Sequence, residues 1–148
     1  MSTVSEIMPK KDIISIEFNS EVTALDISKL MVKNKVGSVL VMDTKNFPIG
    51  IITERDIIKK VCIKNSLPSD LNFKEIMSSP VITIMSYDSI ETAAKQMTSN
   101  KIKRLPVLEE NQKVVSILGI TDITKHLSKI LVNEYKRFGF LKSVIEYD

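Results

Sequence analysis

One cysteine, one histidine, no tryptophan and four glycines stand in this chain of 148 residues, and each scarcity excludes something. Cys62 has no partner for an internal disulfide, so a hydrophobic core must hold the fold and a reducing, cytoplasmic setting is expected. A chain of this length buries enough surface to need no metal staple. No Cys, His and carboxylate residues cluster at ligand spacing, so no metal site is expected. His126 falls beside the apolar face of the last helical stretch without a catalytic partner. Cys62 lies on an apolar helical face, where a small buried hydrophobe is expected. P-loop, GxSxG and dinucleotide fingerprints are missing, so neither catalytic residues nor a required cofactor are expected, and the chain is not read as an enzyme. There is no apolar run of membrane-spanning length and no signal-peptide pattern, so no membrane association is expected. Excess charge is scarce too: 21 basic against 18 acidic residues leave +3. That balance mildly favours anionic ligands and falls short of a dedicated nucleic-acid binder.

What the chain does have is a second copy of itself. "MVKNKVGSVLVMD" (31–43) lies over "MTSNKIKRLPVLEE" (97–110), matching Met31 to Met97, Asn34 to Asn100, Lys35 to Lys101 and Val41 to Val107. The offset of 66 runs on without a gap through Ile51 and Ile117 to Asp56 and Asp122. Upstream, Ile14-Ser15-Ile16 matches Ile82-Thr83-Ile84 at 68, and Glu6-Ile7-Met8 matches Glu75-Ile76-Met77 at 69. Small insertions in loops account for the drift. Repeats of this kind decide the fold before any single element does.

Each half reads β-α-β-β-α, an α+β unit with helices on one face of a small sheet. Alternating strands, "DIISIE" and "PVITIM", open the halves. Helices follow, from near Ser20 and from Asp88, where Asp88 and Glu91 stand at capping-box spacing. Ile90, Ala93, Ala94 and Met97 share one helical face, as do Ala24, Ile27, Ser28 and Met31. Two short apolar strands come next in each half, Val39–Met42 with Pro48–Ile52 and Leu105–Leu108 with Val114–Leu118. A second helix closes each half, carrying Ile57, Ile58, Val61 and Cys62, or Ile123, Leu127, Ile130 and Leu131. Neither half is apolar enough to stand alone, so the two are expected to pack together. The boundaries read from the sequence are 1–65 for the first repeat, 66–132 for linker and second repeat, and 133–148 for a C-terminal extension. The apolar pattern that resumes after Gly139 suggests a short helix over an edge or a partner.

"EIM" before each first strand, "VGSVLVMD" and "IKRLPVLEE", and above all "GIITERDII" and "SILGITDIT" carry a family resemblance. From about Val4 to about Ile130 the chain resembles a tandem pair of cystathionine β-synthase (CBS) domains, the Bateman module. The resemblance implies a pseudo-two-fold sandwich with two clefts between the halves. It implies a regulatory sensor of AMP, ADP, ATP or a related adenosyl ligand, S-adenosylmethionine and NAD included. It also implies a homodimer formed through the helices of 56–63 and 122–132, although those faces could instead finish the intramolecular core.

Thr53 and Asp56 fit the capping-box pattern [ST]-x-x-[DE] ahead of an apolar run. They also fit a nucleotide seat, because a helix N-terminus offers N–H groups and a positive dipole end to a phosphate. The resemblance gives Thr53 to the phosphate, Asp56 to the ribose and Ile51 to the base, with Val81, Ile82, Thr83, Arg104 and Leu105 completing the pocket. The second pocket would take Ile117 and Asp122 with Ser15, Val36, Gly37 and Ser38. There Gly119 replaces Thr53 and Ser116 replaces Gly50. The missing hydroxyl predicts weaker phosphate binding in the second pocket and a dominant AMP site in the first, unless backbone N–H groups near Gly119 compensate. Two other readings stay open: a CBS scaffold with empty clefts, and salt-sensitive nucleic-acid binding through Lys33, Lys35, Lys101 and Lys103.

Overall fold

The computed structural model describes residues 2–139, and in it the repeat reaches down to single backbone angles. Helix α2 (Ala24–Asn34) and helix α4 (Ile90–Asn100) both end on a lysine in the left-handed region, Lys35 at φ 54° and Lys101 at φ 53°. Strands β2 (Ser38–Met42) and β3 (Pro48–Thr53) pair antiparallel, as do β5 (Arg104–Leu108) and β6 (Val114–Gly119). Each pair breaks register at the same place, between Val41 and Met42 or between Val107 and Leu108. The third strand of each sheet, β1 (Ser15–Glu17) or β4 (Ile84–Met85), pairs parallel to the first strand of that hairpin. Two three-stranded sheets result, ordered β1-β2-β3 and β4-β5-β6.

The helices begin a little later than the sequence suggests. Thr23 caps α2: its Oγ1 accepts from Asp26 N–H at 3.2 Å, and Asp26 Oδ2 accepts from Thr23 N–H at 3.0 Å. Ser89 caps α4 by accepting from Thr92 N–H at 3.0 Å, and such a cap contributes about 1 kcal/mol. Asp88 is not the cap, because its Oδ2 accepts from Met85 N–H at 2.9 Å and so closes the preceding turn. The opening strands are also shorter than "DIISIE" and "PVITIM", since residues 12–14 and 80–82 leave the sheet to wall the clefts.

The halves exchange their opening segments. Helix α1 (Val4–Ile7) places Val4 in the core of the second repeat, with Ile84, Ala93, Leu105 and Leu118. Phe73 and Ile76, from the linker, lie in the core of the first repeat with Ala24, Ile27, Val39 and Ile52. Val4 N–H donates to Asp88 O at 2.8 Å and Phe73 N–H to Val22 O at 2.9 Å, so both exchanges are pinned by backbone. A fully buried side chain of this size stabilises by about 1.5–3 kcal/mol, so the halves hold each other by more than surface contact. A cut at residue 65 is therefore a boundary in sequence and not in space.

After β3, helix α3 (Glu54–Ile57) widens into a π-helical turn, Ile58–Cys62. Val61 is buried there, but Cys62 is exposed, contrary to the buried role expected of it. The wider turn rotates it off the face that an unbroken α-helix would bury. Helix α5 (Ile120–Arg137) is regular and runs five residues past the expected end at 132. His126 is half-buried at its boundary, as expected. The apolar pattern after Gly139 lies outside the described residues.

Candidate functional site

Two clefts open between the repeats, of about 480 Å³ around Thr53 and about 360 Å³ around Asp122. Both lie in the range of small-ligand pockets. β3 delivers Thr53 to the start of α3 opposite Ser38, and β6 delivers Gly119 to the start of α5 opposite Arg104. Each cleft therefore sits where a sheet hands over to a helix N-terminus.

Of the residues expected in the first cleft, Ile51, Thr53, Asp56, Val81, Ile82 and Arg104 line it. Leu105 does not, because strand alternation from Arg104 turns it into the core, where it is fully buried. Thr83 does not line it either. In the second cleft Val36, Gly37, Ser38, Ile117, Gly119 and Asp122 line the walls, but Ser15 does not. Ser15 and Thr83 are the matched pair where the chain enters β1 and β4, and alternation turns both from the walls held by Ile14 and Ile82.

The two carboxylates differ more than the sequence shows. Asp56 is 6% exposed and its oxygens are fully engaged. Oδ2 accepts from Thr53 N–H at 2.9 Å and from Thr53 Oγ1 at 3.2 Å. Oδ1 accepts from Ser78 Oγ at 2.8 Å and pairs with Lys60 Nζ at 3.0 Å. Lys60 Nζ also donates to Ile76 O at 3.0 Å, so this group fastens the linker to α3. Asp122 is half-buried, and Gly119 N–H donates to its Oδ2 at 2.7 Å. Among the described residues, nothing donates to its Oδ1.

Nor does the second cleft lack a hydroxyl. Thr121 lines it, with Oγ1 3.5 Å from the point a β-carbon on Gly119 would occupy. The threonine has moved from the cap position to the residue before the aspartate, a signal visible in "GITD" but hidden by strict alignment to "TERD". Ser116, standing for Gly50, donates from Oγ to Pro9 O at 2.7 Å. A β-carbon on Gly50 would instead come within 2.8 Å of Met77 Sδ, which is why the first repeat keeps glycine there.

Lysines complete both clefts in repeat-related pairs that the sequence matches without giving them this role. Lys59 and Lys101 line the first, joined by Lys103 and Arg55; Lys35 and Lys125 line the second, joined by Lys11. A left-handed lysine costs about 1 kcal/mol relative to glycine. Strain of this kind concentrates at ligand sites. The first cleft adds apolar walls from Ile58, Pro80, Ile102 and Pro106, and Ser78 enters from just ahead of the second repeat's opening strand. Among the described residues no His, Cys, Asp and Glu group could hold a metal ion, and no helix is long and apolar enough to cross a membrane.

The sequence pattern of the CBS domain matches residues 4–62 and 73–129. The chain belongs to the CBS-domain family. Its two repeats form a tandem CBS pair, and solved CBS pairs share the fold. The CBS domain pair of protein MJ0100, in complex with 5′-methylthioadenosine and S-adenosyl-L-methionine, superposes with a TM-score of 0.75 at 25% identity, covering 86% of this chain and 97% of that one. An uncharacterized protein of Methanopyrus kandleri is 36% identical over 119 residues, 78% of this chain and 61% of its own. A homoserine O-acetyltransferase of Methanosalsum zhilinae is 33% identical over 123 residues, 83% of this chain but 23% of its own. The CBS pair thus spans about three-fifths of the first relative and under a quarter of the second.

Proposed function

We propose that this CBS pair is a regulatory sensor that takes a phosphorylated adenosine nucleotide, with the Asp122 cleft as its principal seat. One observation carries the reading: among the described residues nothing donates to one carboxylate oxygen of Asp122, which stands beside a hydroxyl, a helix N-terminus and three lysines. A carboxylate with an open oxygen can accept from ribose hydroxyls. Thr121, the α5 N-terminus and the ammonium groups of Lys11, Lys35 and Lys125 suit the phosphates. Asp56, by contrast, would have to give up Ser78 or Lys60 before meeting a ribose. That ordering reverses the one expected from the Gly119 substitution, because Thr121 supplies the missing hydroxyl. The adenosyl ligands of the MJ0100 pair support the ligand class. Ligands without phosphate, such as 5′-methylthioadenosine, are expected to favour the more apolar first cleft.

The test is a thermal-shift and calorimetry panel of AMP, ADP, ATP, NAD, S-adenosylmethionine and 5′-methylthioadenosine. A ligand at a hundredfold excess over Kd stabilises the fold by about 2.7 kcal/mol. No stabilisation by any of them at millimolar concentration would leave the scaffold reading in its place.

A specific observation favours assembly as a second property. Leu127, Ile130, Leu131 and Tyr135 recur along α5 and are 44–57% exposed. Their spacing makes one apolar stripe, and a two-fold pairing of this stripe with its copy gives a homodimer. Sedimentation velocity at micromolar concentration tests it.

A further inference from the structure

Of all the described residues, Arg104 alone lines both clefts. It opens β5 opposite Gly119 and is half-buried on the partition between the two cavities. Its repeat counterpart is Ser38, which lines the second cleft only, so the first repeat contributes no matching cation. The guanidinium reaches its place over Gly37. A β-carbon there would overlap Arg104 Nη2 and stand 2.7 Å from Glu54 Oε1. Glycine at 37 is thus what lets the side chain cross the partition, and Glu54 belongs to the wall of the first cleft.

We propose that Arg104 is a single cation shared by two phosphate sites, so that occupancy of one cleft weakens the other. The proposal rests on the nucleotide reading above and adds a coupling that the reading does not require. When a phosphate in the second cleft takes the guanidinium, the first cleft keeps Glu54, with Arg55, Lys59, Lys101 and Lys103, but loses the one cation that meets Glu54 over Gly37. A phosphate entering there meets a carboxylate and one fewer donor. Coupling between sites is reciprocal, so a nucleotide in the first cleft penalises the second by the same factor. Losing a charge-assisted hydrogen bond corresponds to roughly tenfold in affinity. The device needs no change of fold, only a rotation of one side chain.

The experiment is an amide-resolved NMR titration with AMP, reading Thr53 N–H for the first cleft and Gly119 N–H for the second. Comparing wild type with Asp122→Asn, which weakens the second seat, first-cleft affinity for AMP should rise about tenfold. In the Arg104→Gln background the same Asp122→Asn change should leave it unaltered, while Arg104→Lys, keeping charge without the fork, should restore part of the effect. Adenosine, lacking phosphate, should show no coupling in any variant. AMP binding at both amides with first-cleft affinity indifferent to Asp122→Asn overturns the shared cation and spares the nucleotide reading. AMP moving neither amide overturns both.

Discussion

Ser78 Oγ donates to Asp56 Oδ1 at 2.8 Å, joining residues 22 apart in the chain, while Pro9, which holds the equivalent place before the first repeat, has no hydroxyl to offer Asp122. The same carboxylate motif is thereby a structural clamp in one repeat and an open acceptor in the other. Ser78→Ala should lower unfolding free energy by about 1.5 kcal/mol, and Asp56→Ala by about 2–3 kcal/mol, because Lys60 would remain half-buried without its carboxylate. Asp122→Ala removes one bond from a half-exposed cap and should cost about 1 kcal/mol. Urea denaturation of the three variants measures the ordering; equal losses at Asp56 and Asp122 would refute the division of labour.

Lys35 closes α2 with φ 54°, where glycine is free of steric cost. Lys35→Gly should raise stability by about 0.5–1 kcal/mol and weaken AMP binding several-fold, the exchange expected when strain is kept for a ligand. Lys101→Gly should give the same gain in stability with little loss at the principal cleft. Chemical denaturation and calorimetry on the same preparations separate the two effects.

Hydrogen bonds from the Thr23 backbone and side chain hold the Asp26 carboxyl below its ordinary value. A folded-state value lower than the unfolded one contributes stability that is present above the unfolded pKa and lost as pH falls through the folded one. Thr23→Val should move Asp26 back toward the ordinary carboxylate range in an NMR titration. It should also flatten the acid limb of the stability profile. An unchanged Asp26 titration would mean the side-chain bond contributes nothing.

Much of this was legible in the residues. The offset of 66 that joins Met31 to Met97 also relates Thr23 to Ser89 as caps, Lys35 to Lys101 as helix stops, and the two β-bulges. Apolar spacing found both helix faces, because periodicity is a local property of the chain. Three features were not local. Val4 and Phe73 cross to the opposite core, and nothing in their neighbours announces the exchange. The π-helical turn that exposes Cys62 follows from tertiary packing and not from composition. Ser78 saturates Asp56 from just ahead of the second repeat's opening strand, so the carboxylate of the cleft expected to dominate is the occupied one.

The stripe on α5 leads to a prediction about assembly. Leu131, 57% exposed, should tolerate Leu131→Glu with a stability change within about 0.5 kcal/mol in the isolated subunit. The same change should turn a sedimenting dimer into a monomer at micromolar concentration. A wild-type monomer under those conditions, or a dimer indifferent to the substitution, rules out α5 as the seam.

Calorimetric titration of AMP into wild type, Asp122→Asn, Asp56→Ala and Ser78→Ala tests the assignment of the principal seat most directly. Wild type should show one dominant site per chain; Asp122→Asn should weaken it at least tenfold, and Ser78→Ala, which frees Asp56 from its clamp, should leave it in place. A dominant site that Asp122→Asn leaves unchanged and that Asp56→Ala abolishes, or one that responds to the Asp56 clamp instead, would contradict the account.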